Sequence, residues 1–237
     1  MAIALTEAIS RLEGRFGART VVTATAADDR ARTRRFATGT SFDRLSGGIE
    51  PGSAIALAGE GTCGKGTIAL RAVAGAQQDG GMALWVDPSC SFDPLAAQRA
   101  GVDLARVLVV RARTNEAVLV AAGAGLRSEG FRLVVVDLGP AFAACASIDD
   151  LAPVLPQARG ATAALLVVTD APARRLALPT FRFERVAWEQ RHGRTSGWAF
   201  AVRKVGDARD ERAVLHASSL GRRIVDIGTR AALREAV

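Results

Sequence analysis

The apolar run Ala54-Ile55-Ala56-Leu57-Ala58 leads directly into Gly59-Glu60-Gly61-Thr62-Cys63-Gly64-Lys65, and a helix-forming stretch, Thr67 to Val73, follows. Strand, G-x-x-x-x-G-K loop and helix in that order make a phosphate-binding loop and commit the chain to an α/β fold. The glycines let backbone N–H groups curl around an anion, and Lys65 adds a positive charge toward the outer phosphates. One part is missing. The position after the lysine, where a Ser or Thr hydroxyl would hold Mg²⁺, is Gly66. Thr67 stands one residue on, about 100° around the helix, and does not replace that ligand without a shift. The loop reads as a nucleotide site no longer fully equipped.

The chain has 237 residues, 49% of them hydrophobic, enough for one sizeable core with an appended N-terminal segment. No apolar run approaches the ~18 residues of a membrane span. Glu7, Arg11, Glu13 and Arg15 interrupt the first residues, which rules out a secretory apolar region there. Cys63, Cys90 and Cys145 are widely spaced and odd in number, without a metal or disulfide pattern, and suit a reducing cytoplasm. The net charge of +7 comes almost wholly from arginine, with only Lys65 and Lys204 as lysines. Alongside abundant Ala and Gly, that is the usage of a GC-rich genome, so weak or no direct nucleic-acid binding is expected. The dense cluster Arg30, Arg32, Arg34 and Arg35 reads first as a solvated linker and second as a contact to nucleic acid or an acidic partner.

Leu5, Ile9, Leu12 and Phe16 fall at helical spacing, with Gly17 as a C-cap, and predict a short amphipathic helix. A polar, arginine-rich connector follows. The expected division is a helix and connector over 1–38, a core over 39–228 and a tail over 229–237. Within the core, strands are expected at Ala54–Ala58, Met82–Val86, Val107–Val110, Leu133–Val136 and Ala164–Val168. Helices are expected at Thr67–Gln77, Pro94–Ala100, Glu116–Arg127 and Ile148–Gln157. Continuous apolar runs imply strands buried on both faces, hence a mostly parallel sheet. After Leu178 the pattern shortens around Phe181, Phe183, Trp188, Trp198, Phe200, Val202, Val214 and Leu215, which predicts an antiparallel extension. Trp188 and Trp198 are expected in the sheet core; exposure would mark a partner site. His192 and His216 have no carboxylate or nucleophile at suggestive spacing and receive no role, and Asp149-Asp150 reads as a helix start.

These segments, taken in order, resemble a RecA-type recombinase core, and most of all the ImuA family of RecA-like accessory proteins in bacterial damage-induced mutagenesis. The stretch Ala4–Gly17 resembles the helix with which a RecA subunit docks on its neighbour. Gly39–Gly48 resembles the lead into the core, Phe92-Asp93-Pro94 with Gly101-Val102-Asp103 the stretch after the second strand, and Leu133–Asp137 the strand carrying the second acidic residue of the nucleotide site. Trp188–Arg191 and Gly197–Arg203 resemble ImuA-type proteins. The resemblance implies a RecA-like P-loop core with a C-terminal antiparallel extension. It also implies a vestigial nucleotide site of Gly59, Gly61, Gly64, Lys65, Thr67 and Asp137.

Set against that family, the departures gather at the chemistry. Ser89 stands where a Glu would position water, and a well-placed base is worth ~10²–10⁴ in rate. Ala96 stands where an aromatic would stack on the purine. Asp170 stands where a Gln would sense the terminal phosphate, and its charge would repel one. The stretches Leu138–Gly160 and Ala171–Leu178 are too short for the DNA-gripping loops and offer no stacking aromatic among basic residues. The expectation is therefore a non-enzyme without metal or catalytic residue, with ATP or ADP binding without turnover left open. By resemblance its partners are RecA, through Leu5, Ile9, Leu12 and Phe16, the Y-family-like protein ImuB, and indirectly an error-prone replicative polymerase. A slow P-loop ATPase using Lys65 and Thr67, and an arginine-driven DNA-binding module, are the alternatives.

Overall fold

The computed structural model describes residues 35–78, 80–139, 147–171, 176–191, 193–206 and 212–218. The chain divides between Arg35 and Phe36, and every described element belongs to the second unit. The Leu5/Ile9/Leu12/Phe16 stripe, the arginine cluster up to Arg34 and the tail from 229 lie outside the described residues. The core takes in residues ahead of the expected start at 39: Phe36 is buried and bridges to Ile49.

Eight strands form one sheet in the order β3-β2-β4-β5-β1-β6-β7-β8. They are β1 (Ala54–Ala58), β2 (Met82–Val86), β3 (Val107–Val110), β4 (Phe131–Leu138), β5 (Ala164–Thr169), β6 (Thr180–Arg191), β7 (Arg194–Lys204) and β8 (Arg212–Ser218). From β3 across to β6 every pair is parallel; β6, β7 and β8 are antiparallel. The helices are α1 (Phe42–Ser46), α2 (Lys65–Gln77), α3 (Pro94–Arg99), α4 (Asn115–Arg127) and α5 (Leu155–Ala158), with short 3₁₀ turns at Leu104–Arg106 and Ile148–Leu151.

The apolar runs of the parallel strands follow from burial on both faces. In β4, Leu133 and Val135 join the core formed with α2 and Phe42, whereas Val134, Val136 and Leu138 join the core formed with α4 and the Ile148–Val154 segment. Alternate side chains of one strand thus feed two layers, so neither face tolerates polar residues. Among the described residues no helix is long and apolar enough to cross a membrane.

Two expectations are corrected. The stretch expected as one helix over Ile148–Gln157 is a 3₁₀ turn followed by the single turn of α5. Pro153 and Pro156 lack the N–H a continuous helix needs there. Asp150 does start this segment as expected, accepting from the Ser147 backbone N–H at 2.7 Å. Trp188 is not core: it is 50% exposed, with the Arg185 guanidinium 4.8 Å from its ring and Trp198 packed edge-on beside it. A register shift between Arg185 and Ala187 lies just before it in the β6–β7 ladder. His216, assigned no role from the sequence, is buried on β8 with its Nδ1 against Glu189 Oε1 of β6. The two are separated by β7, and Glu189 reaches across because the intervening residue is Gly197, whose missing side chain leaves the path open. His192 lies outside the described residues.

Candidate functional site: a self-paired phosphate loop

The loop between β1 and α2 forms one wall of a cleft of about 300 Å³ at the ends of the parallel strands. Gly61, Gly64, Lys65, Thr67 and Asp137 all line it, so the structure brings together five of the six residues assigned from the sequence. The sixth, Gly59, contributes its carbonyl to Lys65. Gly64 caps α2 in the left-handed region at φ 95°, and a Cβ there would lie 2.7 Å from the Phe200 ring. Only glycine suits both the turn and the contact. Phe200 is fully buried on β7 and stacks on Phe183 of β6, so the antiparallel extension packs directly beneath the loop.

Lys65 is already occupied. Its Nζ donates to Gly59 O at 2.5 Å, to Gly61 O at 3.0 Å and to Asp170 Oδ1 at 2.6 Å. An ammonium has three hydrogens, so all three are used within the protein. The ion pair with Asp170 is largely sheltered, with side-chain exposures of 9% and 22%. Asp170, expected to repel a terminal phosphate, does more: it holds the one cation the loop would offer that phosphate. The pairing joins the ends of two adjacent strands, since Asp170 directly follows β5, the neighbour of β1.

Gly66 is vacant without being crowded. A Cβ added there meets no atom within 4 Å, so packing does not account for the missing hydroxyl. In the loop after β2, Ser89 stands where the resemblance would have a water-positioning acid, and its Oγ–H donates to Ser91 Oγ at 3.2 Å. Ala96 lines the cleft where a stacking ring would stand, and Phe92 is instead edge-on to the buried Trp85 at 5.2 Å.

The sequence reading missed Ser91. Its hydroxyl lies 2.9 Å from Asp137 Oδ2 and 3.2 Å from Asp87 Oδ1, and its backbone N–H donates to Asp87 Oδ1 at 2.8 Å. Asp87, buried at the end of β2, also accepts from the Phe92 N–H at 3.0 Å. One hydroxyl hydrogen cannot serve two carboxylates fully. Burial pushes the Asp137 carboxyl up from 3.8 to about 6; the Ser91 hydroxyl opposes that rise and the nearby Asp87 adds to it. No local signal marked Ser91, because its role arises only where the loop after β2 meets the end of β4.

The chemistry available is limited. Backbone amides at a helix start can still receive an anion, but the residues present do not fit a Mg-nucleotide as a working phosphate loop holds one. No hydroxyl stands at 66, the lysine is paired, and no base stands at 89.

Comparison with known proteins agrees with this fold. The model of the RecA N-terminal domain family matches residues 3–170. The chain belongs to that family. It is 35% identical over 136 residues to protein RecA of Nostoc sp., covering 56% of this chain and 38% of that protein. It is 32% identical over 149 residues to protein RecA of Heliobacterium modesticaldum, covering 62% and 43%. Against protein RecA of Bacillus subtilis the identity is 40% over 91 residues, covering 38% and 26%. The chain thus spans less than half the length of these curated relatives. The family match ends at Asp170, the partner of Lys65, and β6, β7 and β8 lie beyond it.

Proposed function

We propose that this RecA-family chain is a non-catalytic accessory protein of damage-induced translesion synthesis, of the ImuA type, that acts in the cytoplasm through protein contacts and modulates or inhibits RecA filaments. The observation that carries the reading is the saturation of Lys65 by Gly59, Gly61 and Asp170. A RecA-like core that binds its own phosphate-seeking cation has no means of coupling ATP turnover to filament dynamics. What it retains is shape. The family match begins at residue 3 and so takes in Leu5, Ile9, Leu12 and Phe16, the stripe read as a subunit-docking helix. A subunit with that helix and an inert core would occupy a RecA end and stop growth there. ImuB would be the second partner, with the error-prone replicative polymerase reached through it.

Two measurements test this. Purified protein with Mg-ATP should release no phosphate above background, and turnover of ~1 s⁻¹ or more that Lys65→Ala abolishes would favour the ATPase alternative instead. Titration against RecA should show binding by the full chain and a loss of orders of magnitude for Ile9→Ala with Phe16→Ala, since buried apolar anchors are worth ~2 kcal/mol or more each. A double variant that stays folded by circular dichroism and binds RecA unchanged rules out the docking mechanism.

A further inference from the structure

On the antiparallel extension three arginines lie side by side. Arg182 of β6 is directly opposite Arg203 of β7, and Arg203 is directly opposite Arg212 of β8. All three are exposed. Along each strand they alternate with Phe181, Phe183, Val202 and Ala213, which belong to the core shared with α2, so the arginines share the other face. Among the described residues no carboxylate lies within ion-pair distance of any of the three.

Within the row itself the charges oppose one another. Like charges directly opposite on neighbouring strands repel and destabilise the sheet, and here the repulsion is repeated across two strand pairs. An anionic partner would turn it into three adjacent charge-assisted contacts, because a guanidinium can pair with a carboxylate through two hydrogen bonds.

The neighbouring row narrows the partner. It consists of Glu184, Ala201 and Val214, with Val214 40% exposed. Neither row holds an aromatic on which a base could stack, whereas an exposed apolar residue beside charges is what a protein segment meets. Spacing narrows it further. Neighbouring strands lie ~4.8 Å apart, close to the ~5–6 Å between side chains three or four residues apart on a helix. Same-face side chains of an extended segment are ~6.6 Å apart, a poorer match.

We propose that Arg182, Arg203 and Arg212 form a docking site for an acidic helix of a protein partner, whose Asp or Glu side chains recur every three or four residues. The inference is independent of the N-terminal stripe and of the phosphate loop, so its failure would leave the proposed function standing.

The test uses the full chain and a labelled alanine-based helical peptide with glutamate at every fourth position, read by fluorescence anisotropy at low ionic strength. A peptide with glutamine at those positions and a single-stranded oligothymidylate are the comparison probes. The acidic peptide should bind, the glutamine peptide should not, and Arg203→Gln should weaken binding by about tenfold or more. The thermal midpoint of Arg203→Gln should equal or exceed that of the wild type, because a repulsion has been removed. The proposal is overturned if the acidic peptide does not bind, if both peptides bind alike, or if Arg203→Gln binds as well as wild type. A lowered thermal midpoint would make the row structural, and a selective loss of oligothymidylate binding would make it a nucleic-acid surface; either result also overturns it.

Discussion

The parallel half of the sheet and its antiparallel extension have diverged in opposite ways. From β1 to β5 the loop at the end of β1 and Asp137 near the end of β4 line one cleft, and Asp87 at the end of β2 joins them through Ser91. The cleft's chemistry has been turned inward, with Lys65 on Asp170 and Asp137 on Ser91. The extension, outside the family match, carries exposed chemistry instead: a half-exposed Trp188 under Arg185 on one face and an arginine row on the other. Under the proposed function, the site would have given up its reaction while keeping the scaffold that built it. The scaffold persists because packing, unlike catalysis, is needed for the chain to fold at all.

Phe200 decides whether the extension is an addition or a support. Phe200 is fully buried against Gly64 and stacked on Phe183. Phe200→Ala should lower stability by about 3–5 kcal/mol, the cost of a large core truncation. Denaturant unfolding measures it. A loss under about 1 kcal/mol would mean the loop stands without the extension.

A second experiment reopens the inward-turned side. Asp170→Asn leaves Lys65 without its ion-pair partner while keeping a polar group of the same shape. Nucleotide or inorganic phosphate affinity should then rise about tenfold, some 1.4 kcal/mol, measured by calorimetry against wild type. Phosphate release should stay at background, since Gly66 and Ser89 are unchanged. Equal affinity in both proteins would show that the pair with Asp170 is not what disarms the loop.

These contacts explain what the sequence could and could not disclose. Strands β1, β2 and β3 have the expected ends because each is a continuous apolar run bounded by turn residues, a purely local signal. The loop residues were legible for the same reason. The pairing of Lys65 with Asp170 spans 105 positions, and the Ser91–Asp137 contact spans 46. Both depend on which strands lie side by side, which no local pattern encodes. The Glu189–His216 contact over Gly197 is legible only once the β6–β7–β8 register is known. Trp188 misled because an aromatic in a strand pattern reads as core unless the edge of the packed layer is known.

Asp137 offers a pH-dependent test of the same side. Its carboxyl is raised from 3.8 to about 6, foremost by burial. The folded protein therefore binds that proton more tightly than the unfolded chain. The associated stability is fully present below about pH 4, is lost as pH rises through 6, and is absent above that. Asp137→Asn should stabilise the protein by about 2 kcal/mol at pH 8 and by little or nothing near pH 4. Thermal midpoints at the two pH values measure this. A larger gain at pH 4 than at pH 8 would show that the Ser91 hydrogen bond, not burial, governs the group.

The smallest expected effect settles why the metal ligand is gone. Gly66 lies in the first turn of α2, and an added Cβ there meets no atom within 4 Å. Glycine inside a helix costs roughly 0.5–1 kcal/mol relative to residues that restrict the unfolded chain. Gly66→Ser should therefore raise stability by about 0.5 kcal/mol, small but measurable by denaturant midpoint at constant slope. With Lys65 still on Asp170, the new hydroxyl faces a disarmed loop, so phosphate release should remain at background. Destabilisation by Gly66→Ser would mean that glycine is required by the packing of the loop, and the missing hydroxyl would then be a structural demand. Stabilisation without turnover would place the block at the Lys65–Asp170 pair and not at the packing of the loop.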